Sequence, residues 1–322
     1  MTTRLSSDLE VLNLHRTPLN CLTLLKVSEA DFDENPVNRS EMVKRILFLI
    51  FNVDPIPTYK SRPDLKDCEF VLGYFCQQLI ERHNYIFSRS QFISDIERFC
   101  TRQLIDLEIH VVFDVLFDNH IIVTIGAQFS FKFSYWVLYF AAQRMHQDTA
   151  FAEYVLSDAK YAQYPEIIEF YTGIDRKRDA ALALITADVL ASVAAVKKST
   201  GLPDDFNPFR LDIWKPTATG EAAMQQAVAE GVKESALPTE IKDNYADSGY
   251  NPSRPYNQNI AKFLTEQSFA TMFKLIQAAA RALRNSDYAS PEIKRNLLSA
   301  ILSAWEQTSR VILVILPALR NC

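Results

Sequence analysis

Residues 121–147 constrain the fold more than any other segment, because a β-hairpin there runs into a helix without a break. Ile121, Val123, Ile125, Phe129, Phe131 and Phe133 are apolar at alternate positions, with Thr124, Gln128, Ser130, Lys132 and Ser134 between them. A period of two is the mark of a half-buried strand pair. From Trp136 the spacing turns helical, through Tyr139, Phe140 and Gln143. Burial then suggests the register. A loop of Gly126 and Ala127 alone would set Val123 opposite Ser130 and mix apolar with polar on one face. A three-residue loop, Gly126 to Gln128, pairs Ile125 with Phe129 and Val123 with Phe131, and one face becomes wholly apolar. Ile121, Val123, Ile125, Phe129 and Phe131 are therefore expected to be buried together against Phe113 and Leu116.

The rest of the chain reads as helix. Only seven glycines occur among 322 residues, too few for many tight turns or for a phosphate cradle. Residues 5–27 read as two short helices around Arg16-Thr17-Pro18. Ser40 is the expected cap of a helix carrying Val43, Ile46, Leu47 and Ile50. Asn52 to Pro63 holds three prolines and no helical pattern, which marks a boundary. Beyond it, Asp64 or Asp67 opens a helix with Val71, Leu72, Phe75 and Leu79 inward. A second follows, capped by Ser88 or Ser90, with Phe92, Ile96 and Phe99 inward. A third runs from about Leu104 to Leu116. Three helices and then a hairpin is the order of a winged helix. Further helices are expected at about 136–147, 149–158, 164–172, 176–199, 219–235 and 257–285. The last starts at Ser290, where Ser-Pro-Glu supplies a cap, a first-turn proline and an acid. The expected fold class is all-α, a multi-helix bundle with a winged-helix subdomain carrying one small β-hairpin. The expected division is 1–60 helical subdomain, 61–135 winged helix, and 136–322 helical sensor, linker or oligomerisation region.

The formal net charge is −5, which argues against a whole-surface attraction to nucleic acid or anionic membrane. The five cysteines are widely spaced with no C-x-x-C pair, which fits reduced thiols in a cytoplasm. The most apolar stretch, Val311 to Leu319, is too short to span a bilayer, so no membrane partner is expected.

Three segments carry a resemblance. Phe131, Trp136, Tyr139, Phe140, Ala141 and Ala142 fit an F-x-H-x-x-F-x-E-Y-F-A-A pattern. The run resembles the end of the winged-helix subdomain in NACHT and related STAND-class signal-transduction ATPases. Phe133 stands where that family has histidine, and Leu138 where it has glutamate. Leu9 to Leu25 looks like the family's first helical subdomain, with Pro18 on the proline that touches adenine and Arg16 in place of a glycine. Tyr164 to Gly173 resembles the helix after the winged helix. The resemblance implies a switch module that holds an ATPase closed at rest and rearranges for oligomerisation, in a setting such as defence signalling.

Catalytic motifs are missing from the sequence. No G-x-x-x-x-G-K-[ST] and no strand ending in paired acids occurs, so ATP or ADP is expected only through a separate nucleotide-binding domain, and no cofactor or metal by this chain alone. Pro18 is equally a good helix start. Phe133 cannot donate a hydrogen bond and is expected to pack in the core. His120, in a turn before a strand, is expected to be solvated. Glu166 and Glu169 share a helix face and read as solvated acids. Asp175 to Asp179 reads as a surface turn. The expected recognition helix holds three acids and no Arg or Lys, which excludes a nucleic-acid partner through it. Between Leu297 and Leu319 apolar residues fill more than one stripe. Trp305 is expected either within the protein's own layer or as the anchor of contact with another subunit, a homo-oligomer or a missing NTPase domain. The chain is thus read as a non-enzymatic regulatory portion of a STAND/NACHT-like ATPase, the alternative being a stand-alone helical scaffold.

Overall fold

The computed structural model describes residues 18–29, 36–53, 63–200 and 269–319. The chain forms two compact units. One comprises Met1–Arg178 with Arg284–Tyr288, the other Asp179–Leu283 with Ala289–Cys322. Their described residues are mostly helical, and a small antiparallel sheet lies in the first.

In the first unit, α1 (Pro18–Glu29) buries Leu24 and Val27 and packs on α2 (Arg39–Phe48). Asn38, not Ser40, caps α2. Its side-chain oxygen accepts from the Glu41 N–H at 2.9 Å, while its amide donates to the Gly173 carbonyl at 3.0 Å. The second bond ties the residue at the cap position itself to a distant helix, whereas Ser40 uses its hydroxyl on that helix from inside the first turn. Ser40 sits within the first turn, buried, 3.4 Å from the Phe170 carbonyl. A π-helical turn, Leu49–Val53, extends α2.

Asp64 caps α3 (Leu65–Glu81) and Ser88 caps α4 (Arg89–Gln103), as the sequence indicates. Their inward residues Val71, Leu72, Phe75, Leu79, Phe92, Ile96 and Phe99 are all buried. The next helix, α5 (Ile109–Asp118), starts five residues later than expected. The reason is Leu104, which has φ +56 and therefore ends α4. The same termination recurs at three helix ends. In α3 the Asn84 N–H reaches the Leu79 carbonyl and the His83 N–H that of Ile80. In α4, Ile105 reaches Cys100 and Leu104 reaches Thr101; in α5, Ile121 reaches Leu116 and His120 reaches Phe117. Each is a Schellman motif, whose left-handed residue is usually glycine. Here it is His83, Leu104 or His120.

The sheet has three strands in the order β1-β3-β2: β1 (Ile86–Phe87), β2 (Ile122–Ile125) and β3 (Gln128–Phe131). The short β1 has no sequence signal, since two residues cannot display a period. The hairpin register differs from expectation. Ile125 pairs with Gln128, Thr124 with Phe129, Val123 with Ser130 and Ile122 with Phe131. Gly126, at φ +61, takes the first place of a two-residue loop, the glycine-first pattern of a type II′ turn. This one-residue slip turns Ile122 inward and leaves Ile125 half exposed. Val123 is only partly covered. Two features favour the slip. The α5 Schellman motif already buries Ile121 ahead of the strand, and β1 pairs along the far side of β3, setting Phe87 beside Phe129. Phe87, Ile122, Phe129 and Phe131 then share one face, with Phe129 edge-on to Phe113 at 5.1 Å.

The segment after the hairpin becomes α6 (Ser134–Gln147), in which Trp136, Tyr139, Phe140, Ala141 and Ala142 are buried. Leu138 is buried too. α7 (Thr149–Leu156), a 3₁₀ segment (Ser157–Gln163) and α8 (Pro165–Ile174) follow. α6 packs between α3 and α8. Its contact with α3 is close: a Cβ on Gly73 would lie 3.1 Å from the Phe140 carbonyl.

The second unit holds α9 (Asp179–Thr200), most of α10 (Phe269–Asn285) and α11 (Pro291–Leu319). α9 packs on α11 and buries Leu182, Ile185, Val189 and Val196, and Asp179 accepts the Ser290 N–H at 2.9 Å. Among the described residues, α9 is the one helix long and apolar enough to cross a membrane by length and composition. The expected elements between 201 and 268 lie outside the described residues.

Candidate functional site

Arg39 draws together two of the segments that the sequence singles out. It is the first residue of α2, and its Nη1 lies 2.7 Å from Glu166 Oε1 and 3.7 Å from Glu169 Oε2 on α8. Its guanidinium carbon stands 5.0 Å from the ring centre of Tyr135, near the start of α6, and 5.3 Å from that of Phe170. Arg39 and Glu169 are almost fully buried. Burying such an ion pair removes hydration from three charges, and the planar guanidinium offsets this by meeting carboxylates at its edge and rings on its faces. Its Nε is buried without a hydrogen-bond partner. Burial pushes the Tyr135 phenol up to about 12, although Arg39 pulls the other way. Glu166 and Glu169 are therefore not a solvated acidic face. They are the counter-charge of Arg39, because α8 turns that face toward α2. Among the described residues no group of three or more His, Cys, Asp or Glu could hold a metal ion.

Phe133 does not pack in the core. It precedes α6 as its N-cap residue, offers no side-chain cap, and stays half-buried, stacked on Tyr135 at 5.5 Å under the Lys132 amine. A ring at a helix entry cannot reach past the first turn to the interior. His120 is exposed in its left-handed turn. Pro18 opens α1, but its side chain lies outside the described residues.

Two polar clusters brace α6. Tyr139 donates to Glu69 Oε1 at 2.7 Å, and Gln143 donates to the Tyr139 hydroxyl at 3.0 Å. Burial raises the Glu69 carboxyl and the Tyr139 phenol alike. At the other end His146 donates from Nε2 to the Tyr171 carbonyl at 3.0 Å and accepts from Arg178 at Nδ1, 2.6 Å away. Only the neutral Nε2–H form satisfies both contacts. Burial first, and the Arg178 charge second, lower its pKa to about 4. The basic cluster around it is paired: Arg178 with Asp175 at 2.9 Å, and Arg176 with Asp287 while covering the Tyr288 ring at 4.4 Å.

Arg39 gives no periodic signal in the sequence, and Arg178 lies in the Asp175–Asp179 segment that reads there as a surface turn, with no sign of its contact with His146. Glu69 gives one: it is an acid three residues before Leu72 on the stripe of α3 that faces the core. On α5 the exposed positions are His110, Phe117 and Asp118, and Asp114 pairs with Arg89 at 2.7 Å. Trp305 on α11 is 48% exposed and meets Phe273 edge-on at 6.2 Å. Of the two expectations for Trp305, own layer or anchor of an outside contact, the half-exposed ring is not fully enclosed by its own layer.

The chain matches no curated protein and no solved structure. Residues 85–141, from β1 to the middle of α6, match the sequence pattern of a family described as Novel STAND NTPase 4, which supports a STAND-type NTPase region there.

Proposed function

We propose that this chain is a non-catalytic regulatory portion of a STAND/NACHT-like ATPase, in which α3 to β3 form a winged-helix subdomain acting as a packing and switch module. The observation that carries the reading is the family match over residues 85–141. Three features support it. The order helix, strand, two helices, hairpin, with sheet order β1-β3-β2, is that of a winged helix. The aromatic run that ends the subdomain is buried, with Tyr139 and Phe140 fully so. The helix that would read a duplex, α5, carries acids and no Arg or Lys.

In this reading the nucleotide is held by a separate P-loop domain, Pro18 meets its adenine, and the switch leads to oligomerisation of a cytoplasmic signalling protein. Calorimetry with ATP, ADP and duplex DNA tests it first. The chain alone should show neither micromolar nucleotide affinity, nor turnover, nor salt-resistant DNA binding. Any of these overturns the assignment. A P-loop domain in frame or in a neighbouring gene, whose nucleotide release slows when this chain is present and speeds again with Pro18→Ala, supports it. A P-loop partner whose nucleotide release ignores this chain favours a stand-alone scaffold.

A further inference from the structure

The entry of α2 meets α8 through polar groups. Asn38, Arg39 and Ser40, consecutive in sequence, reach Gly173, Glu166 and Phe170 in turn. With Glu169, those partners recur along α8 at intervals of three, one and three, which puts them on one face. Apart from α1 and its own π-helical turn, α2 packs mainly on α8. At its far end that turn, Leu49–Val53, buries Leu49, Ile50 and Phe51. The helix is thus held by charge and hydrogen bonds where it begins and by apolar burial further along. The two kinds of attachment respond differently to separation. An apolar seam that opens exposes its surface to water and is penalised in proportion to the area. A buried ion cluster regains hydration when it opens, which offsets much of the lost attraction. The Arg39 cluster also lacks the fork geometry of a strong pair: Nη1 faces both carboxylates, and Nε is buried with no partner. Water supplies that missing bond once the seam parts, so the open state gains a hydrogen bond that the closed state does not have.

We propose that α2 is a latched arm. Arg39, with Asn38 and Ser40, is the catch on α8, and the π-helical turn Leu49–Val53 is the pivot. The entry of the helix lifts from α8 while the rest of its unit stays folded. A π-helical turn is a fault in the regular ladder of helix bonds, and such turns collect at functional positions. Here it lies at the end of α2 opposite the ion cluster, where a pivot is needed, and its buried residues anchor it. Release takes the cation from Glu166 and Glu169 and frees the faces of Tyr135 and Phe170 that the guanidinium covers. Because Tyr135 stands near the start of α6, the arm's position is felt where the hairpin passes into that helix. The use of this motion as a control on a partner rests on the regulatory reading above; the motion itself does not.

Hydrogen exchange on the full chain, read by mass spectrometry, tests this. In the wild type the amides of α2 should exchange faster than those of α3 and α6, which report opening of the whole unit. Arg39→Met keeps a side chain against the two rings and removes the cation. It should speed exchange in α2 by about tenfold or more, since one partner of a buried ion pair is lost, with α3 and α6 unchanged. Arg39→Lys, a point charge without the planar face, should fall between the two. Equal protection of α2, α3 and α6 in the wild type overturns the proposal. So does exchange in α2 that ignores Arg39→Met, or a variant in which all three helices speed up together. If Arg39→Met does not fold, Arg39→Lys is judged by the same comparison. The outcome is separate from the nucleotide reading: an arm that never opens by itself refutes the latch without touching that reading, and an ATP-binding chain refutes that reading without touching the latch.

Discussion

At the scale of single residues, the tightest constraint is Gly173. A Cβ there would come 2.4 Å from Ser40 Oγ and 3.3 Å from Ser40 Cβ, in the place where Asn38 reaches the Gly173 carbonyl. Gly173→Ala should destabilise by about 1–3 kcal/mol, the usual cost of overfilling a packed contact. Adding Ser40→Ala should recover part of it, because the nearest atom is then gone. Chemical denaturation of the single and double variants reads both numbers, and strict additivity would refute the contact. His146 makes a second prediction. Its folded pKa of about 4 lies below the ordinary value of 6.5. The unfolded chain therefore takes up the proton first as pH falls. The stability this group contributes is complete above pH 6.5 and is lost progressively down to about pH 4. Glu69 acts in the opposite sense, since its folded carboxyl is raised and protonates more readily than the unfolded one. Unfolding curves of wild type and His146→Gln across pH 7 to 4 should converge toward the acid end. Parallel curves would show that His146 is not held neutral. Neither Arg39 nor His146 could be paired with its partners from the sequence, because Arg39 and Glu166 stand 127 positions apart.

Among the elements, helices were legible and the sheet only half so. Caps and apolar spacing locate α3 and α4 because both signals are local: Asp64 and Ser88 bond to N–H groups two or three residues on. The hairpin obeys a non-local rule. Its alternation is real, yet Ile121 and Ile122 are adjacent and both are buried, so the pattern alone cannot say which set faces inward. The turn and the far strand decide it. Substitutions separate the two registers. Ile122→Ala should cost about 2–5 kcal/mol and Phe131→Ala about 3–5 kcal/mol, as for other emptied core sites. Ile125→Ala should stay within about 0.5 kcal/mol, as for an exposed position. Equal losses at Ile122 and Ile125 would restore the three-residue loop. The late start of α5 has the same origin as the slip. A leucine in a left-handed turn gives no warning, since glycine or asparagine is the usual sign of a helix end.

For the whole molecule, the sequence carries the class of fold, and the family match falls on the segment with the strongest local pattern. What it could not carry is the joining of α2, α6 and α8 around one guanidinium, since that depends on which helix faces meet. The scarcity of glycine, which first pointed to helices, has a thermodynamic counterpart. His83, Leu104 and His120 are exposed, so the side chains contribute little packing where they stand. Each holds a conformation that costs an ordinary residue about 1–2 kcal/mol, while glycine there would lose about 0.5–1 kcal/mol in chain entropy. Replacing all three by glycine should raise the melting temperature by several degrees, read by calorimetry, and an unchanged or lower value would mean that these turns relax on their own. Heat tolerance in this molecule can thus be retuned from its periphery, at three helix exits remote from one another in sequence, while every core contact is left alone.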